Sequence, residues 1–333
     1  MNSFRGKVAL CITVTAFAGI GAYHLWISRK KRAKAKKTDD AADLISIFDL
    51  ANVYIKDPET VMEKIRILLE GGPESLQVIS DFDMTLTRYL VDGKRGDTSH
   101  GSIEKASCMS ETFRVQASAT KNKYYPLEHS IVHTFEEKAK IMTEWWETIH
   151  KLMIDDGFQR RWIPGVVSEC TIVLRDGSDV FFQILDEANV PLYVVSAGIG
   201  DIIEEAIQKQ SRLRDNARII ANLMEFDEEG KLSGFKGDLI HSYNKHEVLD
   251  HIRGFVRHTK SRHNLILFGD TLGDPSMADG MVHVTNELKI GFLNYKPDEL
   301  LEAYQDAYDV VLVEEESWDL INEFLACLLK QRL

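Results

Sequence analysis

Apolar residues come in short bursts along the second half of the chain, each leading into a helical pattern. Leu76–Ser80, Pro191–Val195, Leu265–Phe268, Ile290–Leu293 and Val310–Val313 read as strands. Residues 201–209, 298–307 and 317–330 carry helical spacing. An earlier helix is predicted to start at Asp57-Pro58-Glu59, where Asp caps, Pro fits the first turn and Glu favours the positive end. Val61, Ile65, Leu68 and Leu69 share its apolar face, and Gly71-Gly72-Pro73 ends it. Residues 38–56 read as a linker into that helix. Strands alternating with helices imply an α/β fold, a parallel sheet with helices on both faces. Residues 102–185 are mostly helical in pattern and too long for a connection, so they imply an inserted helical cap domain. The expected division is a core of 38–87 and 187–333 around a cap of 88–186.

A second pattern precedes this one. Val8 to Ile27 is a 20-residue run broken only by Thr13, Thr15 and His24. At 1.5 Å per residue it matches a bilayer core of ~30 Å. Arg5 and Lys7 precede it, and seven Lys or Arg follow between Arg29 and Lys37. The pattern predicts one N-terminal transmembrane helix in an anchor of residues 1–37. The heavier positive flank puts the catalytic body on the cytoplasmic side of that membrane.

Charge narrows the function. The net charge is −12, yet residues 1–37 hold nine basic and no acidic side chains. The remaining 296 residues carry 31 basic and 52 acidic ones. A body this acidic repels nucleic-acid polymers but can still take a small anion at a local cation. The four cysteines, Cys11, Cys108, Cys170 and Cys327, are dispersed, which excludes a zinc cluster and a disulfide framework. No specific protein partner is predicted.

Three strands end in polar clusters: Asp81/Asp83, Ser196 and Asp270/Asp274. Ligands of open parallel sheets bind at the carboxyl ends of strands, where these clusters converge. Asp81 and Asp83, at i and i+2 of an extended segment, point the same way and repel unless a cation intervenes. Mg²⁺ suits such an all-oxygen site. Asp81 is the candidate nucleophile, and Asp83 the group that protonates the leaving oxygen and then activates water. Asp270 is the third candidate ligand, and Asp274 a ligand directly or through water. Ser196 can donate to phosphoryl oxygens, and Lys245 can bridge nucleophile and phosphate. Together they describe a magnesium-dependent phosphatase working through an aspartyl-phosphate intermediate.

These motifs resemble the haloacid dehalogenase-like phosphatases. Longer stretches resemble the cytosolic 5′-nucleotidase III (pyrimidine 5′-nucleotidase) family: DFDMTLTR at 81–88, KYYPLE at 123–128, SAGIGD at 196–201, GFKGDLIHSYNKH at 234–246, GDTLGDPSMADG at 269–280 and KIGFLN at 289–294. The resemblance spans roughly residues 50–333 and implies a Rossmann-like core with an inserted cap. It implies hydrolysis of nucleoside 5′-monophosphates, pyrimidine ones such as CMP and UMP and in some members 7-methyl-GMP. It further implies Asp81 as nucleophile, Asp83 as acid/base, and Asp81, Asp83 and Asp270 as the magnesium site. Ser196, Ala197 and Lys245 would bind phosphate, and Glu128 would contact the base. Residues 92–107 depart from the family pattern. That leaves the base-stacking residue open among His100, Tyr124, Tyr125, Trp145 and Trp146. The competing readings are a phosphatase for another small phosphomonoester, phosphotransfer to a nucleoside, and an idle membrane-tethered scaffold.

Overall fold

The computed structural model describes residues 40–128, 132–245, 261–279, 281 and 283–330. After a helical turn region at 40–46, the chain enters strand β1 (Val53–Tyr54) and the helix Pro58–Gly71. That helix is capped as its sequence dictates. Asp57 accepts from the Thr60 amide at 3.0 Å, and Gly72 ends the helix at φ +65°.

Strand β2 (Leu76–Ser80) follows and becomes the centre of the sheet. The other strands are β5 (Leu192–Ile199), β6 (Ala217–Phe226), β7 (Leu232–Lys236), β8 (Asn264–Gly269), β9 (Asn286–Leu293) and β10 (Val310–Val313). Their order is β1-β10-β9-β8-β2-β5-β6-β7. The six inner strands, β10 to β6, run parallel, while β1 and β7 are antiparallel at the two edges. Every residue of β2 and β8 is buried, as strands covered on both faces must be.

Alternation divides the sheet's side chains between two cores. Val78, Ile266 and Phe268 face one, where Trp318 stacks on Phe181 at 4.2 Å and meets Phe268 at 5.0 Å. Ile79, Leu265 and Leu267 face the other, with Tyr304 and Tyr308. β1, β6 and β7 are absent from the polarity reading. β1 and β7 are too short to show a period, and Asn222 interrupts the apolar run of β6.

The segment after β2 opens with a hairpin, β3 (Leu90–Val91) to β4 (Lys94–Arg95), turning at Asp92-Gly93 with positive φ at both. Helices Gly101–Lys105, Glu111–Glu128, Phe135–Asp155 and Ile163–Glu169 follow. Phe135–Asp155 begins with a capping box between Thr134 and Glu137. The helix Ser178–Glu187, which the polarity pattern groups with the cap, packs against Asp319–Leu329 beneath the sheet.

The expected transmembrane helix requires correction. Among the described residues no helix is long and apolar enough to cross a membrane. The longest of them, the 21-residue Phe135–Asp155, is amphipathic and buries Trp145, Trp146 and Ile149 in the cap. Residues 8–27 lie outside the described residues. Over the described residues the fold is an α/β sheet, parallel across its six inner strands, with helices on both faces and no helix long and apolar enough to span a membrane. The expected anchor of residues 1–37, and with it a membrane-anchored body facing the cytoplasm, is not carried further, since hydropathy and length show that a run could span, not that it does.

Candidate active site

The ends of β2, β5 and β8 meet at one edge of the sheet. The Asp81 amide donates to the Phe268 carbonyl at 3.0 Å, extending the β2–β8 ladder by one residue. The Asp81 carboxylate accepts from Lys245 Nζ at 2.5 Å, and Lys245 also donates to Asp274 Oδ1 at 2.8 Å. Asp274 is held from its other oxygen by the amides of Asp270 (3.1 Å) and Thr271 (2.9 Å) and by Thr271 Oγ1 (2.9 Å). Gly269 is required for this: a Cβ there would lie 2.4 Å from the Asp274 Cβ. Tyr304 and Tyr308 fix the loop from below, their hydroxyls donating to the carbonyls of Asp270 and Thr271 at 2.5 Å.

Asp83 is treated differently. Its carboxylate turns away from that cluster and accepts from the Ser99 amide and hydroxyl, each at 2.8 Å. Among the described residues, the carboxylates that gather within 4.8 Å are Asp81, Asp270 and Asp274. Asp274 therefore stands in the carboxylate set where the i, i+2 argument puts Asp83. One ammonium faces three acids, Asp81 and Asp274 buried and Asp270 partly so, an imbalance that fits a divalent cation on carboxylate oxygens.

Burial dominates the electrostatics. It pushes the Asp81 carboxyl up to about 7, with Asp274 and Asp83 adding repulsion and Lys245 opposing. It pushes Asp83 up to about 6 against the two Ser99 hydrogen bonds. Asp270 is raised well above its usual range by burial and then by Asp81 and Asp274. Burial would lower Lys245, but Asp274 and Asp81 override it and hold its ammonium charged.

Ser196 lies inside β5 rather than after it. The ladder to β6 skips from Val195↔Ile220 to Ile199↔Asn222, so Ser196, Ala197 and Gly198 bulge out of register. Ser196 Oγ accepts from the Gly198 amide at 3.0 Å. The Ala197 carbonyl accepts from Asn222 Nδ2 at 2.9 Å and from Trp146 Nε1 of the cap at 2.8 Å. Asn222 also bonds the backbone of Ile240 in both directions, at 2.9 and 3.0 Å, on the segment leading to Lys245.

Above the acids is a cavity of about 380 Å³ whose cap side includes His100, Tyr125, Trp145 and Trp146. Tyr124 does not line it and stacks on Trp145 instead. His100 packs 5.2 Å from the Trp146 ring, and burial lowers its pKa to about 4, so it is a neutral aromatic at physiological pH. Glu128 is the last residue of the helix Glu111–Glu128, and its side chain lies outside the described residues.

The pattern of the pyrimidine 5′-nucleotidase (UMPH-1) family matches residues 84–329. The chain belongs to this family. Among its relatives, the human 7-methylguanosine phosphate-specific 5′-nucleotidase is 42% identical over 290 residues, covering 87% of the chain and 97% of that protein. The putative cytosolic 5′-nucleotidase 3 of Caenorhabditis elegans is 35% identical, with 84% and 76% covered. A solved structure of cytosolic 5′-nucleotidase IIIB bound to cytidine is 30% identical, with a TM-score of 0.78 over 85% of the chain and 95% of that one. The molecule is thus a 5′-nucleotidase.

Several polar residues at the site of this 5′-nucleotidase are not apparent in its sequence. Ser99 sits in a turn where Thr98 Oγ1 accepts from the Gly101 amide, and a Thr-Ser pair before a helix reads first as a cap. Asn222 lies mid-strand and Asn294 follows one, so neither carries the strand-end acid signature.

Proposed function

We propose that the chain hydrolyses nucleoside 5′-monophosphates, 7-methyl-GMP and CMP foremost, through an aspartyl phosphate on Asp81. The observation that carries the reading is the division of the two motif carboxylates. Asp81 joins Lys245 and the acid cluster, while Asp83 faces Ser99 with a pKa near 6. One group is suited to attack and the other to proton transfer near neutral pH. An Asp81 carboxylate oxygen attacks phosphorus, the bond from phosphorus to the ribose 5′-oxygen breaks, and Asp83 gives that oxygen its proton. Asp83 then takes a proton from water as the water oxygen attacks phosphorus and the bond to Asp81 breaks. The Ser196 hydroxyl and the bulged Ala197 segment border the phosphoryl oxygens, and Lys245 spans Asp81 and the phosphate. Asp81, Asp270 and Asp274 would hold Mg²⁺, which would offset the charge of phosphate beside carboxylates.

The cap supports a planar base. His100, Tyr125, Trp145 and Trp146 give the cavity aromatic surface for stacking. Glu128 is the group proposed to pair with an exocyclic amine or a cationic methylated guanine. The relatives specific for 7-methylguanosine phosphate and the cytidine-bound neighbour support these two bases. The test is phosphate release from CMP, UMP, 7-methyl-GMP, GMP and phosphoserine, with and without Mg²⁺. Magnesium-dependent turnover of 7-methyl-GMP or CMP is expected. Turnover of phosphoserine alone would overturn the substrate class.

Linkage gives a second expectation. The folded pKa values of Asp81 and Asp83 lie above the unfolded carboxylate value of about 3.9. The folded metal-free chain therefore binds more protons, and these groups lose stabilising effect as pH rises from about 4 through 7. His100 and His150, lowered to about 4 and 3, act in the opposite sense below about pH 6.5. Comparing melts with and without Mg²⁺ at each pH isolates the site. The Mg²⁺-induced rise in Tm is expected to be several degrees at pH 7.5 and close to zero at pH 5.5, where protons compete for the carboxylates. An equal rise at both pH values would refute the carboxylate site.

A further inference from the structure

The turn carrying Asp83 is held by side chains. Met84, the next residue, has φ of +67°, a conformation strained for a residue with a side chain. Its amide donates to Thr87 Oγ1 at 2.8 Å. Its carbonyl accepts from Arg175 Nη2 at 2.6 Å and from Asn294 Nδ2 at 3.0 Å. Arg175 Nε donates to the Thr85 carbonyl at 2.7 Å, and Nη2 also donates to Asn294 Oδ1 at 2.9 Å. Nη1 donates to the Glu315 carbonyl. Arg175 is 1% exposed, and its guanidinium lies over the Phe292 ring at 4.3 Å.

A buried guanidinium is costly unless its donors are used, and here Nε and Nη2 converge on one turn while Nη1 is taken up by Glu315. Arg175 Nη2, Asn294 and the Met84 carbonyl form a closed triangle of hydrogen bonds. The strained Met84 peptide is thereby over-determined from outside the turn, the condition under which such strain persists. Met84 follows Asp83 directly, its amide held by Thr87 and its carbonyl by Arg175 and Asn294, so fixing both of its peptide units limits where the Asp83 carboxylate can point. Thr85, the other anchored residue, donates its hydroxyl to Asp270 Oδ1 at 3.4 Å.

We infer that Arg175, assisted by Asn294, is a positioning residue that holds Asp83 at the leaving oxygen by clamping the Met84 turn. The inference rests on the proposed role of Asp83 as acid. A structural role alone would slow all substrates alike. A positioning role should act on the step that needs a proton. The ribose 5′-oxygen leaves poorly without one, whereas p-nitrophenolate leaves unprotonated.

The experiment measures kcat/KM, which reports steps up to formation of the aspartyl phosphate, for Arg175→Lys, Arg175→Gln and Asn294→Ala. The substrates are the better of CMP and 7-methyl-GMP, and p-nitrophenyl phosphate. The Arg175 variants should lose about 10²-fold on the nucleotide, the scale of an ångström-level misplacement, and under about threefold on the aryl ester. Asn294→Ala should show the same contrast at smaller size. Proportional losses on both esters, or no loss on the nucleotide, would overturn the inference. Where the Arg175 variants fail to fold by circular dichroism, Asn294→Ala decides on the same criterion. A wild-type chain inert on both esters would fail the proposed function itself and take the inference with it. A competent wild type with uniformly slowed variants would fail the inference alone.

Discussion

Asp81→Asn should abolish hydrolysis of every phosphomonoester the chain accepts, by roughly 10⁴-fold or more in kcat. The amide is nearly isosteric, so the backbone bond to Phe268 and the surrounding packing survive. What disappears is the nucleophilic oxygen and the charge that Lys245 contacts. Lys245 keeps Asp274 as its partner, so no buried ammonium is left alone. The metal-free variant should also be the more stable protein at neutral pH, because one member of a mutually repelling carboxylate set is gone. Kinetics and a melting curve on the same preparation check both halves. Residual turnover within tenfold of wild type would remove Asp81 from the nucleophile role.

Gly198→Ala should come next in severity. A Cβ at this position would sit 1.7 Å from Ser99 Oγ and 3.2 Å from Asp83 Oδ2. The first distance is an outright clash and the second is tight, so Ser99 must move, and with it the two hydrogen bonds that aim Asp83. A loss of about 10²-fold in kcat is expected, with a smaller change in KM, since Lys245 and Ser196 stay in place. Adding Ser99→Ala should restore part of the activity. The hydroxyl at 1.7 Å disappears, leaving the Ser99 Cβ at 3.0 Å as the remaining obstacle. Such non-additivity is the signature of two groups sharing one space. If the double variant is no better than the product of the singles, the glycine matters for another reason.

The sheet and the acids were legible in sequence for a common reason. β2 and β8 are buried on both faces, so they appear as apolar bursts, and the residues that follow them stand out as charged. The segments 217–226 and 232–236 were not legible, because an edge hairpin carries polar residues on exposed faces and Asn222 inside the run. The i, i+2 argument for Asp81 and Asp83 assumed that the strand continues. In the structure the chain turns at Met84, and the two carboxylates part. Asp274, read from sequence as a ligand directly or through water, reaches Asp81's neighbourhood through a short 3₁₀ turn after β8. Arg175 and Asn294 act on backbone carbonyls, which have no side-chain signature at all. The apolar run 8–27 matched a bilayer in length, hydropathy and flanking charge, and it lies outside the described residues.

The double use of the Ala197 carbonyl has a kinetic consequence. Trp146 comes from the cap helix and Asn222 from the sheet. A motion that lifted the cap from the sheet would break the first bond, a net loss of about 1 kcal/mol. The second lies within the core and would stay intact. The bulged turn would therefore keep its shape with the cap raised. An arriving phosphate meets a turn already formed, and the cost of opening falls on the half of the molecule that reads the base.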